Sequence, residues 1–324
     1  MDNVRTDLAI EVAQMFKEEM NQNLNGVTIE KKLDEGSEIT IVKVVNEEGA
    51  KSIGKPIGNY ITIEIPEYTV YDGELMNDVS ESLGRTLKKL LNVNKEDKIL
   101  VVGLGNSKVT PDALGPLVVE KIMVTRHLSS VMPDAIDDEV ISVGAIAPGV
   151  LGVTGIETFE IVDSLVKKIK PTLVICIDAL GSRKTQRVNK TIQICDTGIS
   201  PGAGVGNHRM KLNKETLGVK VVGIGVPTVV NAATIASDTI DLVLDSLISN
   251  SKEGSDFYKM LKNIDKNERN ILINDVLDPF VSELVVTPKE IDLMIEALSK
   301  IIANGINIAV QPSMTMDEIN KFLN

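Results

Sequence analysis

At 324 residues, with 43% hydrophobic and 25% charged residues, the chain is long enough for one large domain or two and too apolar for wholesale disorder. Asp and Glu number 46 against 34 Lys and Arg, a formal charge of -12 that argues against a binder of nucleic-acid phosphates. The two cysteines fit neither a metal finger nor a secreted disulfide framework. The start MDNVRTDLAIEV has no signal-peptide pattern, and no apolar run approaches the roughly 18 residues of a membrane span, so a cytoplasmic protein is expected.

Apolar periodicity predicts a helix over residues 8–24, with Leu8, Val12, Met15, Phe16 and Met20 near one face. Strand-like runs follow at 27–30, 39–45 and 60–65, and then a helix over 74–91 striped by Leu75, Val79, Leu83, Leu87 and Leu90. From residue 98 the pattern becomes alternating strand and helix. Strands are expected at 98–104, 140–145, 172–177, 191–195 and 219–226, and helices at 111–125, 156–169 and 229–247. Continuous apolar strands joined by amphipathic helices imply an α/β fold with a largely parallel sheet covered on both faces. Residues 250–275 read as a polar surface connection. Thr287-Pro288-Lys289-Glu290 reads as a capping box opening a helix through Ile301.

Several familiar patterns fail on context. There is no HExxH, and only two histidines, His127 and His208. Gly198-Ile199-Ser200-Pro201-Gly202 matches G-x-S-x-G, but a Gly-rich loop follows the serine where a nucleophile elbow needs a helix. Gly103-Leu104-Gly105 begins a dinucleotide fingerprint, yet Lys108 replaces its third glycine and Asp112 would put negative charge where a pyrophosphate sits. Asp196-Thr197-Gly198 matches one half of a pepsin-like pair, but in an α/β pattern and in one copy, so a turn is the better reading of Asp196. His208 follows Gly202, Gly204 and Gly206 in a loop that could present donors to a substrate.

The positive signal is two aspartates. Asp112 lies just past the end of strand 98–104, and Asp178 at the end of strand 172–177. Sites in open α/β sheets form at that end of the strands, and two carboxyl groups brought together there share a proton, one serving as base to water and the other as acid. Each also has a plain structural reading, Asp112 as a helix N-terminal acid and Asp178 as a turn cap.

Three stretches together resemble the bacterial spore germination proteases: Val4-Arg5-Thr6-Asp7-Leu8-Ala9, Val102 to Asn106 through Thr110 to Pro116, and Ile177 to Leu180 through Asp196-Thr197-Gly198 to Gly206-Asn207. The resemblance implies an endopeptidase that degrades small acid-soluble spore proteins in the spore core, with Asp112 and Asp178 as its aspartates. It also implies a zymogen that removes residues 1–7 by cutting between Asp7 and Leu8. There Thr6, Ala9 and Glu11 mimic the substrate's Thr-Glu-(Phe or Ile)-Ala-Ser-Glu, with Ile10 in place of Ser. It further implies a homotetramer and a fold similar to that of hydrogenase maturation proteases.

On this reading residues 8–324 form one peptidase domain. It comprises a β-rich elaboration over about 25–72, an α/β core over about 95–250 and a helical part over about 276–324. No cofactor, resident metal, membrane or direct nucleic-acid partner is expected, and the acidic surface would attract basic substrates. A metal-dependent maturation-type peptidase and a non-catalytic nucleotide-binding module are the alternatives.

Overall fold

The computed structural model describes residues 6–20, 25–34, 36–131, 139–200, 209–263 and 284–323. Nine strands join one sheet: β1 (Val27–Asp34), β2 (Ser37–Val44), β3 (Gly58–Glu64), β4 (Lys98–Gly103), β5 (Ser142–Ile146), β6 (Leu173–Ser182), β7 (Thr191–Cys195), β8 (Lys220–Asn231) and β9 (Val285–Val286). The order is β1-β2-β3-β7-β8-β6-β4-β5, with β9 added on β8.

The α/β class holds, but the sheet is mixed rather than largely parallel. β5, β4, β6 and β8 pair in parallel, whereas β1, β2, β3 and β7 run antiparallel, and β7 joins β8 antiparallel. β1 ends at Asp34 and β2 starts at Ser37, a separation that antiparallel pairing accommodates and a parallel crossover does not. They extend the same sheet through the β3–β7 ladder, Tyr60 opposite Cys195 and Glu64 opposite Thr191.

The helices are α1 (Ala9–Met20), α2 (Glu47–Ile53), α3 (Gly73–Leu91), α4 (Leu114–Val119), α5 (Leu128–Val131), α6 (Leu151–Thr154), α7 (Thr158–Ile169), α8 (Lys214–Leu217), α9 (Ala232–Asn250), α10 (Asp256–Lys262), α11 (Ile291–Val310) and α12 (Met316–Leu323). Alternation along the strands assigns them to the two faces. Ile99 and Val101 of β4 and Ile175 and Ile177 of β6 pack with α3, α4 and α11. Leu100, Val102, Val174 and Cys176 point the other way, against Val162 and Val166 of α7. On that second face the antiparallel strands have their own cover, in which Leu8, Ala9, Ile10 and Ala13 meet Val42, Val44, Ile53, Tyr60 and Leu180. Two separate covers therefore share one face of the sheet, and β6 runs from one to the other.

Local differences from the expected elements have local causes. Helix α1 and the residue before it bury Leu8, Ala9, Ile10 and Ala13 more deeply than Val12 and Met15; the side chains of Phe16 and Met20 lie outside the described ones. Between the strand runs 39–45 and 60–65 lies a further helix, α2, capped by the Asn46 side chain accepting from Gly49 N and closed at Gly54 with φ 61°. The helix expected over 111–125 shortens to a turn at Thr110–Asp112 and then α4. Beyond it Thr125 and Arg126 donate their backbone N–H groups to Val143 O at the edge of the sheet. Thr287 is not a helix cap: its hydroxyl donates to Thr228 O, α11 starts at Ile291, and it continues to Val310 rather than ending at 301.

Among the described residues α11 is the one helix long and apolar enough to cross a membrane, but it is mostly buried, against α3 and α4. Leu298 and Ile302 are fully enclosed there. Leu298→Ala should destabilise the protein by about 2–5 kcal/mol through lost burial and a residual cavity, as read by denaturant unfolding at unchanged m-value.

Candidate active site

The strand order fixes where a site can form. From β4 the chain moves outward to β5 and then returns to the other side of β4 as β6, so the order reverses between β4 and β6. The crevice at the carboxyl ends of those strands is the usual ligand site of an open α/β sheet.

Asp112 reaches this crevice because the backbone after β4 is packed unusually tightly. A Cβ on Gly103 would lie 2.1 Å from Gly115 O, and one on Gly115 would lie 2.2 Å from Leu104 O, so only glycines allow α4 to approach the strand end this closely. Gly105 turns at φ 112°, and its missing Cβ makes room for the Asp112 carbonyl. Asn106 N then donates to Asp112 Oδ2 at 2.8 Å, orienting the carboxyl group. Asp178 is carried by β6 itself, opposite Gly225 of β8, on the same face as Val174 and Cys176 and between the two covers. Ala179 N donates to its Oδ1 at 2.9 Å.

Both aspartates line a cavity of about 310 Å³, together with Asp7, Gly105, Gly181, Ser200, Arg209 and Thr228. Burial, reinforced by the neighbouring Asp112 and Asp7 charges, holds Asp178 well above the usual carboxylate range. Burial also raises Asp112, opposed by its bond from Asn106 and by the Arg209 guanidinium. Asp178 is 6% exposed, whereas Asp112 is only half-buried. Both shifts favour the protonated form, most of all on Asp178, and a pair so placed can offer one acid and one base.

The N-terminal segment occupies the edge of the same crevice. Asp7 N donates to Gly181 O at 3.0 Å and Gly181 N donates to Asp7 Oδ2 at 2.9 Å, so residue 7 is held through main chain and side chain by one glycine at the end of β6. Burial raises the Asp7 carboxyl as well. The Asp7 carbonyl oxygen accepts from Lys55 Nζ at 2.9 Å and Gln193 Nε2 at 3.1 Å. Leu8 and Ala9 are fully buried. Glu11 is fully buried too, accepting from Arg183 N at 2.8 Å, Lys184 N at 2.9 Å and the Thr6 hydroxyl.

Thus the structure places Asp7 in one cavity with Asp112 and Asp178, while Leu8, Ala9 and Glu11 are buried and the Thr6 hydroxyl donates to Glu11. Asp196 stays apart: its carboxyl accepts from Asn59 N at 2.8 Å and Asn59 Nδ2 at 2.6 Å, tying β3 to the end of β7 as a turn residue. Gly202, Gly204, Gly206 and His208 lie outside the described residues. Cys176 and Cys195 are both free and buried. Among the described residues no group of three or more His, Cys, Asp or Glu is arranged to hold a metal.

Sequence reasoning missed Lys55, Gln193 and Arg209. Gln193 carried a usable signal, a polar amide inside the apolar strand TIQIC, which burial permits only when its hydrogen bonds are met. Lys55, in a Gly-Lys-Pro turn, and Arg209, beyond the Gly-rich stretch, carried none.

Comparison with known proteins identifies the family. A family pattern described as Germination protease matches residues 5–262 and 245–323. A germination protease of Clostridium perfringens is 61% identical, with all of both chains covered. One of Clostridium tetani is 52% identical over 99% of this chain and 100% of that one, and one of Geobacillus sp. is 42% identical over 99% and 97%. Among solved structures, the [NiFe] hydrogenase maturation protease HycI of Thermococcus kodakarensis aligns at 20% identity and a TM-score of 0.28, covering 59% of this chain and 98% of that one. With a family match over nearly its whole length and relatives this similar end to end, the chain belongs to the germination protease family and is an endopeptidase.

Proposed function

We propose that the protein hydrolyses peptide bonds with the Asp112–Asp178 pair, and that its first substrate is its own Asp7–Leu8 bond. The observation that carries this reading is that Asp7, Asp112 and Asp178 line one cavity at the switch point of the sheet, with the residue 6–9 segment already seated along the end of β6. Asp112, the more accessible carboxyl group, takes a proton from water as the water attacks. Asp178, the more deeply buried, supplies a proton to the departing nitrogen.

The acidic residue before the cut is selected by the Gly181 N–H, which meets its carboxyl group. In trans the same cleft would take small acid-soluble spore proteins in the spore core, whose cleavage sites the segment Thr6 to Glu11 resembles. While residues 1–7 remain, Thr6 and Asp7 occupy the edge of the cleft as a bound substrate would and keep other substrates out, without a folded pro-domain.

A homotetrameric assembly is also part of this reading. Helix α9 has no buried residue and exposes Ile240, Leu242, Val243 and Leu247, apolar area that a second copy would cover. Leu242→Glu should lower the assembly mass measured by light scattering while leaving the circular dichroism unchanged.

The catalytic test is the intact mass of the full chain over time at mildly acidic and neutral pH. The wild-type protein should lose residues 1–7. Asp112→Asn and Asp178→Asn should each slow that loss by roughly 10²–10⁴-fold with the fold retained, and wild-type rates in both would refute the pair.

The raised pKa of Asp178 gives a second test, with the opposite sign for stability. In the unfolded chain the group ionises as pH passes the ordinary carboxylate value, while the folded state keeps its proton, so folding stability falls as pH rises through that interval. Asp178→Asn needs no proton. It should therefore melt higher than wild type at neutral pH, with the difference closing toward acid pH, even as it loses activity.

A further inference from the structure

The Asp7 carbonyl is the group that must accept negative charge if the Asp7–Leu8 bond is hydrolysed, and it is not simply exposed to the cavity. Its oxygen receives two hydrogen bonds from separate segments of the antiparallel half. Lys55 Nζ approaches at 2.9 Å from the turn after α2, and Gln193 Nε2 at 3.1 Å from β7. The Gln193 amide is not free to rotate, because its Oε1 accepts the Ala9 N–H at 2.7 Å. That bond requires an oxygen toward Ala9 and so turns the NH₂ toward Asp7.

Lys55 and Gln193 also line a second cavity, of about 300 Å³, with Arg209 and Lys211. Asp7 and Arg209 line both cavities, this one with Lys55 and Lys211 and the other with the Asp112–Asp178 pair. The residue whose carboxyl end would be freed thus stands between a proton-transferring side and an electropositive side.

We propose that Lys55 and Gln193 form the oxyanion-stabilising pair of this enzyme: the Lys55 ammonium and the Gln193 amide take up the charge that develops on the carbonyl oxygen of the residue before the cut. The inference rests on the reading that the Asp7–Leu8 bond is cleaved by the carboxyl pair. Water oxygen bonds to the Asp7 carbonyl carbon while one water proton passes to Asp112, and the C=O π pair moves onto the oxygen facing Lys55 and Gln193. The pair then returns, the C–N bond breaks, and the Leu8 nitrogen takes a proton from Asp178. The products are the α-carboxyl group of Asp7 and the amine of Leu8, with one water consumed and no other reactant.

Donors at 2.9 and 3.1 Å from a neutral carbonyl tighten as that oxygen becomes anionic, and a cation gains most, which is the differential stabilisation catalysis requires. Burial and the nearby Lys211 draw the Lys55 ammonium down from its usual value, partly opposed by Asp7 and Cys195, so its charge is lost earlier on the alkaline side than for a surface lysine.

The experiment follows release of residues 1–7 from the full chain by intact mass, across pH, in the wild type, Lys55→Met, Lys55→Arg, Gln193→Leu, Asp112→Asn and Asp178→Asn. Removing either donor should slow release by about 10²–10³-fold. The alkaline fall in the wild-type rate should move to higher pH in Lys55→Arg, which keeps the charge. A residue that merely anchored the segment would not move that limb, and Lys55→Arg keeps the proposal testable if Lys55→Met fails to fold.

Wild-type rates in Lys55→Met and Gln193→Leu, with both Asn variants inert, would overturn the oxyanion pair and leave the carboxyl pair standing. Wild-type rates in the Asn variants would instead remove the catalytic reading on which it rests. An unprocessed wild type at every pH would count against both.

Discussion

Removal of water from the end of β6 is the constraint on which the rest of the site depends. Asp178 follows the apolar run Leu173 to Ile177, where burial disfavours ionisation and raises its carboxyl group. That state requires cover on the second face of the sheet. The α7 layer covers the parallel strands and the α1 layer the antiparallel ones, and Asp178 falls where the two covers meet. A single continuous cover would have buried the carboxyl with no access, and no cover would have left it ionised.

The extra antiparallel strands are therefore more than an addition to a parallel core. β3 and β7 carry the sheet beyond β8, β7 supplies Gln193, and α2, between β2 and β3, ends in the turn that holds Lys55. The parallel half contributes the two aspartates and the antiparallel half contributes the groups around the Asp7 carbonyl. The Gly103–Gly115 contact sets the depth of Asp112 in the first half, as the Gln193–Ala9 bond fixes the donor in the second.

Much of this was legible in the residues, and what was not has identifiable causes. Strands such as KILVVG and LVICID announce themselves by unbroken apolar runs, and aspartates at their carboxyl ends stand out because a charged residue there needs a reason. The direction of the N-terminal strands was not legible, because apolar alternation reports which face is buried and not which neighbour is paired. The 111–125 segment looked like one helix because Pro111 and Asp112 suit a helix start, but α4 ends at Val119, and Thr125 and Arg126 bond to the edge of the sheet instead. Lys55 and Arg209 could not be found from sequence, since a cation in a turn looks the same whether it faces water or a carbonyl 48 residues away.

Leu8 and Ala9 have no exposed surface. Cutting the bond before Leu8 would turn an uncharged peptide group into an ammonium among Val42, Tyr60, Leu180 and their neighbours, and would leave a new carboxylate beside two aspartates already reluctant to ionise. The ammonium is not tolerated where it forms, whereas the carboxylate would face Lys55. The new chain start would be driven toward water, drawing the first turn of α1 from its cluster. Processing at this bond would then be self-completing: the ammonium it creates is the force that opens the cleft, and religation would require putting it back among apolar side chains that reject it.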